Sequence, residues 1–353
     1  MLPNKCTFVG ETPSEQQFAL AAGYGNALTP EEVGIQTGVQ PSTGEFSGYA
    51  NTPSQRVAES PTETSHTCVM GQQLSEPRQR DSVHPKNLKF WTPERERECR
   101  PRPVHSRGAA FQFTQMGFES RAVSANEYSV SPFNAVGKLM FSGVDWTNCI
   151  GSVPYVGSAW LIAPRVIMTV AHNFFEAKCK DRSENIVFAA GRGGQDEEFY
   201  SVIDFKNVPI FESDPQFGGQ PNPAAVNDIG VGILDRPADP KFGILPVVTD
   251  STIQPNLIRM VGYPANRDNG LKMWMCEGQY LPQQSTSFDF AMSSDFSGGA
   301  SGGPWVVDTP TGWKAIGLQS GNRPGNICYS GRLGQQARDL IAWAKSVTEV
   351  GVA

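Results

Sequence analysis

From about residue 118 onward the apolar residues come in short runs: AVGKLMF, GSAWLI, RVIMTV, NIVFAA, DIGVGIL, LIRMVGYP, KMWMCEG, PWVV and KAIGLQSG. Gly, Pro, Asn or Asp bounds each run. Runs of this length between turn formers mark strands buried on at least one face, and their repetition predicts an all-β sandwich or a pair of barrels. Only the tail, GQQARDLIAWAKSVTEV, changes period. Leu340, Ile341, Ala344 and Val347 share one helical face there, which predicts a helix over about 335–349 that closes onto the β domain.

Residues 1–117 have no such pattern. They are rich in Pro, Ser, Thr, Glu and Gln and poor in periodic apolar positions, so they lack the means to build a core. The composition predicts a low-complexity, largely disordered N-terminal region or prosegment, with the domain boundary at 117/118. Its end, KNLKFWTPERERECRPRPVHSRG, mixes Arg with Glu and reads as a solvated tether. A protease-sensitive prosegment and a partner-docking arm are the functional alternatives.

Composition narrows the function classes. The formal net charge of −6 leaves no electrostatic footprint for nucleic acid, and 18% charged residues with 36 Gly and 27 Pro suit short strands and turns better than a helical bundle. No run of about 18 apolar residues predicts a membrane span. The opening MLPNKCTFVGETPSEQQ lacks the apolar core of a Sec signal peptide. Seven cysteines at wide spacing, without a C-x-x-C pair, argue against structural zinc, and no cofactor is expected. AAGRGGQD (189–196) lacks the GK[ST] ending of a phosphate loop and reads as a surface turn. His66 and Cys68 have no further ligands in view.

The candidate chemistry starts at SDFSGGASGGPWVV, where Gly298, Gly299, Gly302 and Gly303 flank Ser301. The run Pro304–Val307 follows directly, so the glycines belong to a packed turn rather than a linker. A turn that lifts a serine hydroxyl outward while aiming its own N–H groups at one point is what oxyanion stabilisation requires. Such a serine needs a base. Of the four histidines, His66, His84 and His105 lie in the N-terminal region; His172, in TVAHN after a predicted strand, is the imidazole within the β domain.

Chain order then separates the serine hydrolases. No histidine follows Ser301, which excludes the α/β-hydrolase order, and Asp145 before His172 sits in no subtilisin-like motif. The order that remains is His, Asp, Ser. Eleven aspartates lie between His172 and Ser301. Asp228 is favoured because NDIGVGIL places it at the mouth of a strand, where its carboxylate can be buried beside an imidazole; Asp235 is held in reserve.

Taken together, GSAWLIAPRVIMTVAHN, NDIGVGIL, VGYPANRDNGLKMWMCEGQ, GGASGGPW and RAVSANEYSVSPFNAVGKL resemble the trypsin-like, chymotrypsin-fold serine peptidases, and among them the bacterial and fungal V8-like branch of glutamyl endopeptidases. The likeness spans about residues 118–335. It implies two six-stranded antiparallel barrels, over about 122–240 and 245–332, with polypeptide as substrate. It also implies Ser301 as nucleophile, His172 as general base then acid, Asp228 as orienter, and the Gly299 and Ser301 N–H groups as oxyanion hole. A Cys149–Cys179 disulfide follows from the same likeness, with Cys276 free or joined to Cys328. Secretion is implied as well, against the missing Sec signal, so localisation stays open.

The same likeness makes Asp295, Gln319, Ser320 and Gly321 substrate-binding positions. Asp295 favours a basic P1 residue, whereas Gln319, standing where glutamate-specific relatives carry histidine, weakens acidic specificity; basic, small or apolar, and acidic P1 all remain open. Ala300 replaces the aspartate that captures a new N-terminal ammonium in zymogens, so residues 1–117 are expected to act by intramolecular blocking or by engaging a partner protein, with Arg121 as a guessed cut point. The competing function is a peptide-capturing pseudo-protease acting through its N-terminal region.

Overall fold

The computed structural model describes residues 84–102, 117–176, 179–208, 228–249, 255–285 and 289–349. Most of the low-complexity region, including His66 and Cys68, lies outside the described residues. The strands of three or more residues are β1 Phe118–Ala122, β2 Val136–Asp145, β3 Ile150–Ala163, β4 Val166–Thr169, β5 Glu184–Ala190, β6 Glu198–Val208 and β7 Ile229–Leu234, then β8 Leu257–Gly262, β9 Trp274–Gln279, β10 Asp289–Ser293, β11 Pro304–Thr309, β12 Gly312–Leu318, β13 Gly321–Arg323 and β14 Ile327–Gly331.

The first six strands after β1 close on themselves in the order β3-β2-β5-β6-β7-β4, with β4 pairing back to β3 through Trp160–Met168 and Leu161–Ile167. Every pairing in this barrel is antiparallel. Side chains alternate across a strand, and here both faces are covered. Leu139, Phe141, Tyr155, Ala159, Leu161, Ile167, Phe174 and Phe188 fill the interior. Val136, Trp160, Met168 and Val231 point outward, onto Val261, Tyr263, Met273, Val306 and Leu318 of the second half. Burial on both faces explains why the sequence shows continuous apolar runs instead of alternation.

The second half consists of a five-stranded sheet, β12-β11-β8-β9-β1, and a three-stranded one, β10-β14-β13. An isolated bridge, Tyr280–Met292, links them on one side. On the other, the Leu318 N–H donates to Ser330 Oγ at 2.7 Å, so a serine side chain stands where β12 and β14 would share backbone bonds. Met260, Cys276, Phe290, Met292, Trp305 and Ile316 pack between the sheets. The tail forms a closing helix, Gln335–Glu349; Ala337, Leu340 and Ala344 are buried and Ile341 and Val347 lean on the same core. Arg121, the guessed cut point, lies inside β1 opposite Met275 of β9, so a cut there would strip a paired strand from the sheet.

The expected solvated tether is, over residues 84–102, folded onto the first barrel. Helix α1 is His84–Phe90 and α2 is Pro93–Arg97, the latter capped by Thr92, whose Oγ1 accepts from the Arg95 N–H. Leu88 and Trp91 pack on Met140, Val187 and Ala189, and Trp91 Nε1 donates to the Asn185 carbonyl at 2.7 Å. The physical reason lies in β2. Its Lys138 is fully buried and needs a counter-charge, which Glu96 supplies at 2.9 Å while also receiving two hydrogen bonds from Arg192. Glu96 therefore belongs to the interior, although it sits in a run that reads as surface.

Burial alone would raise the Glu96 carboxyl, but the Arg192 hydrogen bonds and the Lys138 charge outweigh it and bring the group down to about 2. A depressed carboxylate stabilises the folded state above its unfolded value, and that gain is lost as pH falls through the folded one. Glu96→Ala strands a buried ammonium and is expected to cost about 3 kcal/mol, read from chemical denaturation. The difference in stability between wild type and Glu96→Gln should be complete above pH 4.5 and vanish as pH falls toward about 2.

Candidate active site

His172 lies in a single 3-10 turn, Ala171–Asn173, directly beyond β4. Asp228 immediately precedes β7 and is fully buried. Because β4 and β7 are neighbours in the barrel, their ends bring the two side chains together. The His172 ring Nδ1 lies 2.8 Å from Asp228 Oδ2, and the His172 backbone N–H donates to Oδ1 at 3.0 Å. Ser320 Oγ donates to Oδ2 at 2.5 Å. With the carboxylate on Nδ1, the proton of a neutral ring sits there and Nε2 presents a lone pair. That Nε2 is buried and has no hydrogen-bond partner among the described residues.

Ser301 comes from the second half, in the turn before β11, and is 6% exposed. Its backbone is held by the first half: the carbonyl accepts from the Ser158 N–H at 2.7 Å and from Asn173 Nδ2 at 3.0 Å. Asn173 follows His172 directly, and its amide also donates to Thr169 Oγ1, which donates in turn to the Ser158 carbonyl. Ser158 Oγ donates to the Gly299 carbonyl and accepts from the Tyr263 N–H. This polar network joins β3, β4 and the His172 turn to the segment that carries the serine.

The glycines have distinct physical roles. Gly299 adopts φ +92° and Gly302 φ +87°, left-handed conformations that a side chain disfavours. A Cβ on Gly302 would lie 2.0 Å from Thr169 Oγ1 and 2.2 Å from the Ser158 carbonyl oxygen. Gly302 therefore lets the two halves meet. At Gly299 a Cβ would strike the Tyr263 carbonyl at 2.6 Å. The Gly299 and Ser301 N–H groups donate to no acceptor among the described residues.

Beside Ser301 opens a cavity of about 570 Å³ whose walls include Asp295, Phe296, Gly298, Gly321, Asn322 and Arg323. Asp295 lines it, but its Oδ1 accepts from Ser120 Oγ at 2.5 Å and its Oδ2 pairs with Arg267. Asn322 Nδ2 donates to the Phe296 carbonyl, joining two walls of the cavity. Gln319 is buried, donating to the Gly321 carbonyl and to Asn322 Oδ1. Ser320 turns to Asp228 rather than to the cavity, and Gly321 lines it. Asp235 pairs with Arg236 instead of the imidazole.

Cys149 and Cys179 form a disulfide with Cα atoms 5.2 Å apart. Cys276 and Cys328 are both free, so the bond between them that the likeness left open is not made. Sequence reasoning missed Asn173, Ser158, Thr169 and the Ser320–Asp228 bond. It also missed Pro101 and Arg102, which line the cavity from the N-terminal segment. Only a polar residue directly after the histidine hinted at Asn173.

No family model and no curated protein matches the sequence. Among solved structures the chain is similar to a thermostable serine protease, AL20, from an extremophilic microorganism (19% identity, 60% of this chain and 97% of that one, TM-score 0.49). It is also similar to a Glu endopeptidase in complex with MPD (16% identity, 64% and 96%, TM-score 0.49) and to human heparin binding protein (16% identity, 62% and 94%, TM-score 0.43).

The Gly302 contacts lead to a paired test. Gly302→Ala is expected to destabilise the chain by about 4 kcal/mol, combining left-handed strain with overpacking at the seam. Gly312→Ala, also at positive φ but facing open space, should cost only about 1–2 kcal/mol. Equal losses in thermal or urea unfolding would show that the seam contact carries no energy.

Proposed function

We propose that this protein is a serine endopeptidase that forms an acyl-enzyme on Ser301. The observation that carries this reading is the buried Asp228–His172 couple, which leaves Nε2 without a partner among the described residues, one residue before the Asn173 whose amide holds the Ser301 carbonyl. A buried nitrogen without a partner is costly to maintain unless a reacting group uses it.

In this reading Ser301 Oγ attacks the scissile carbonyl and His172 Nε2 takes the hydroxyl proton. The oxyanion that forms is met by the Gly299 and Ser301 N–H groups, which no other acceptor among the described residues claims. Asp228 stabilises the imidazolium, and Ser320 together with the His172 backbone N–H fixes the carboxylate that does so. The imidazolium then protonates the leaving amine. Water then gives a proton to the same Nε2 as it adds to the acyl carbon, and the imidazolium returns that proton to Ser301 Oγ as the ester bond breaks, releasing the carboxylic acid.

The P1 preference favoured here is a small, uncharged residue. Arg267 and Ser120 already compensate Asp295, which removes the electrostatic ground for a basic P1, and Asn322, bonded to the Phe296 carbonyl, leaves an uncharged amide in the cavity wall. No histidine marks it for glutamate. In a peptide library, P1 Ala is expected to outrank Arg, Lys and Glu, and Asn322→Gly to shift the preference toward larger residues.

A fluorophosphonate probe tests the reaction itself. Wild type should be labelled at Ser301 and Ser301→Ala not at all, with turnover falling by roughly 10⁶. Asp228→Asn should lower kcat by roughly 10⁴ while leaving the fold intact. Absence of labelling in an otherwise folded wild-type chain would replace this reading with capture of peptides by a pseudo-protease.

A further inference from the structure

The N-terminal segment does not stop at the helices. Beyond α2 the chain runs along the outside of β3, where Arg100 pairs with Tyr155 and Pro101 with Val156, in parallel. That path crosses the cleft. Pro101 lies so close to the turn before Ser301 that a Cβ on Gly298 would sit 2.4 Å from its Cβ, and Pro101 and Arg102 form part of the cavity wall together with Ser301.

Arg102 is the anchor. Its side chain is fully buried, an unusual place for a guanidinium. Nη1 donates to the His172 carbonyl at 2.9 Å and to Ser183 Oγ at 3.0 Å, while Nε stands 3.8 Å from the Glu176 carboxylate. The guanidinium stacks over Tyr155 and Phe141, at 4.6 and 4.9 Å from the ring centroids. Carbonyl, hydroxyl, carboxylate and two aromatic faces make a socket suited to arginine in both charge and shape. Arg102 does not saturate it: Nε and Nη2 have no hydrogen-bond acceptor among the described residues. Arg100 adds only a half-exposed pair with Asp145, of the kind that contributes little. The segment is thus seated by one incompletely satisfied buried charge and a short ladder.

From this geometry we infer an arginine-receiving subsite beside the cleft, beneath the His172 turn at the end of the first barrel, formed by Tyr155, Phe141, Glu176, Ser183 and the His172 carbonyl, whose resident ligand is the chain's own Arg102. Residues Arg100–Arg102 then act as an internal ligand that competes with an extended polypeptide for the surface between β3 and the Gly298 turn. The inference rests on the serine-endopeptidase reading of the same cleft. It narrows the substrate class to extended chains that must displace this segment, and favours those that bring their own arginine to the socket.

The test compares two substrates on the full-length chain: a short p-nitrophenyl ester that reaches only Ser301 and the cavity, and an arginine-free peptide of about ten residues that spans the cleft and so gains nothing from the socket itself. Rates are normalised to sites titrated with fluorophosphonate, which also reports the folded fraction. A segment that occupies the cleft most of the time lowers apparent affinity by the fraction of time it is away, so Arg102→Ala is expected to raise the ratio of peptide to ester kcat/KM by about tenfold or more, chiefly through KM. Should Arg102→Ala fold poorly, Glu176→Gln and Ser183→Ala weaken the same socket from its other side and are expected to raise the ratio in the same direction. An unchanged or lower ratio in every folded variant would overturn the inference. Failure of the wild-type chain to react with fluorophosphonate would instead overturn the peptidase reading beneath it.

Discussion

The Ser301 carbonyl oxygen is where the two halves of the molecule are joined. It belongs to a turn of the second half, yet both of its donors, the Ser158 N–H and the Asn173 amide, come from the first. A buried carbonyl that receives two hydrogen bonds is expensive to move, since displacement leaves three polar groups dry and unpaired. The registry between His172, carried at the end of β4, and Ser301, carried before β11, is held at that atom together with the Ser158 Oγ bonds to Gly299 and Tyr263 and the apolar core that the halves share. Gly302 matters for the same reason, because the seam closes only if nothing occupies the place of its Cβ.

A second constraint spreads from Lys138. A cation on the outer face of an otherwise apolar strand cannot remain dry and unpaired, so the barrel recruits Glu96 from outside its own sequence limits. Docking of α2 then fixes where the chain continues, and the route from Glu96 to Arg102 leads along β3 toward the cleft. An electrostatic requirement on one side of the barrel thereby places the Arg102 side chain beside the His172 turn on another.

The strand pattern, the closing helix and the glycine-flanked turn were readable along the chain, because each depends on local periodicity or on the conformational range of one residue type; the His–Asp–Ser order is an expectation drawn from chain order alone. Of the two aspartates weighed, Asp228, expected at a strand mouth, is the one the structure sets against His172, while Asp235 meets Arg236. Other features were not readable. ERERECRPRP has the composition of a solvated tether, and nothing in it shows that Glu96 and Arg102 are buried, since burial of a charge depends on a partner more than 40 residues away. Asp295 likewise reads as a free acid until Arg267 and Ser120 are seen to meet it.

By itself, then, the sequence determined the class of fold and the chemical types at the cleft, since short apolar runs between turn formers, helix periodicity and glycine's tolerance of positive φ act within a few residues of the chain. Only the tertiary structure decided which polar groups are paired, which charges are compensated, and that an N-terminal segment shares the cleft with Ser301. Those outcomes depend on desolvation, and desolvation is a property of what packs around a group, which no local stretch of residues specifies.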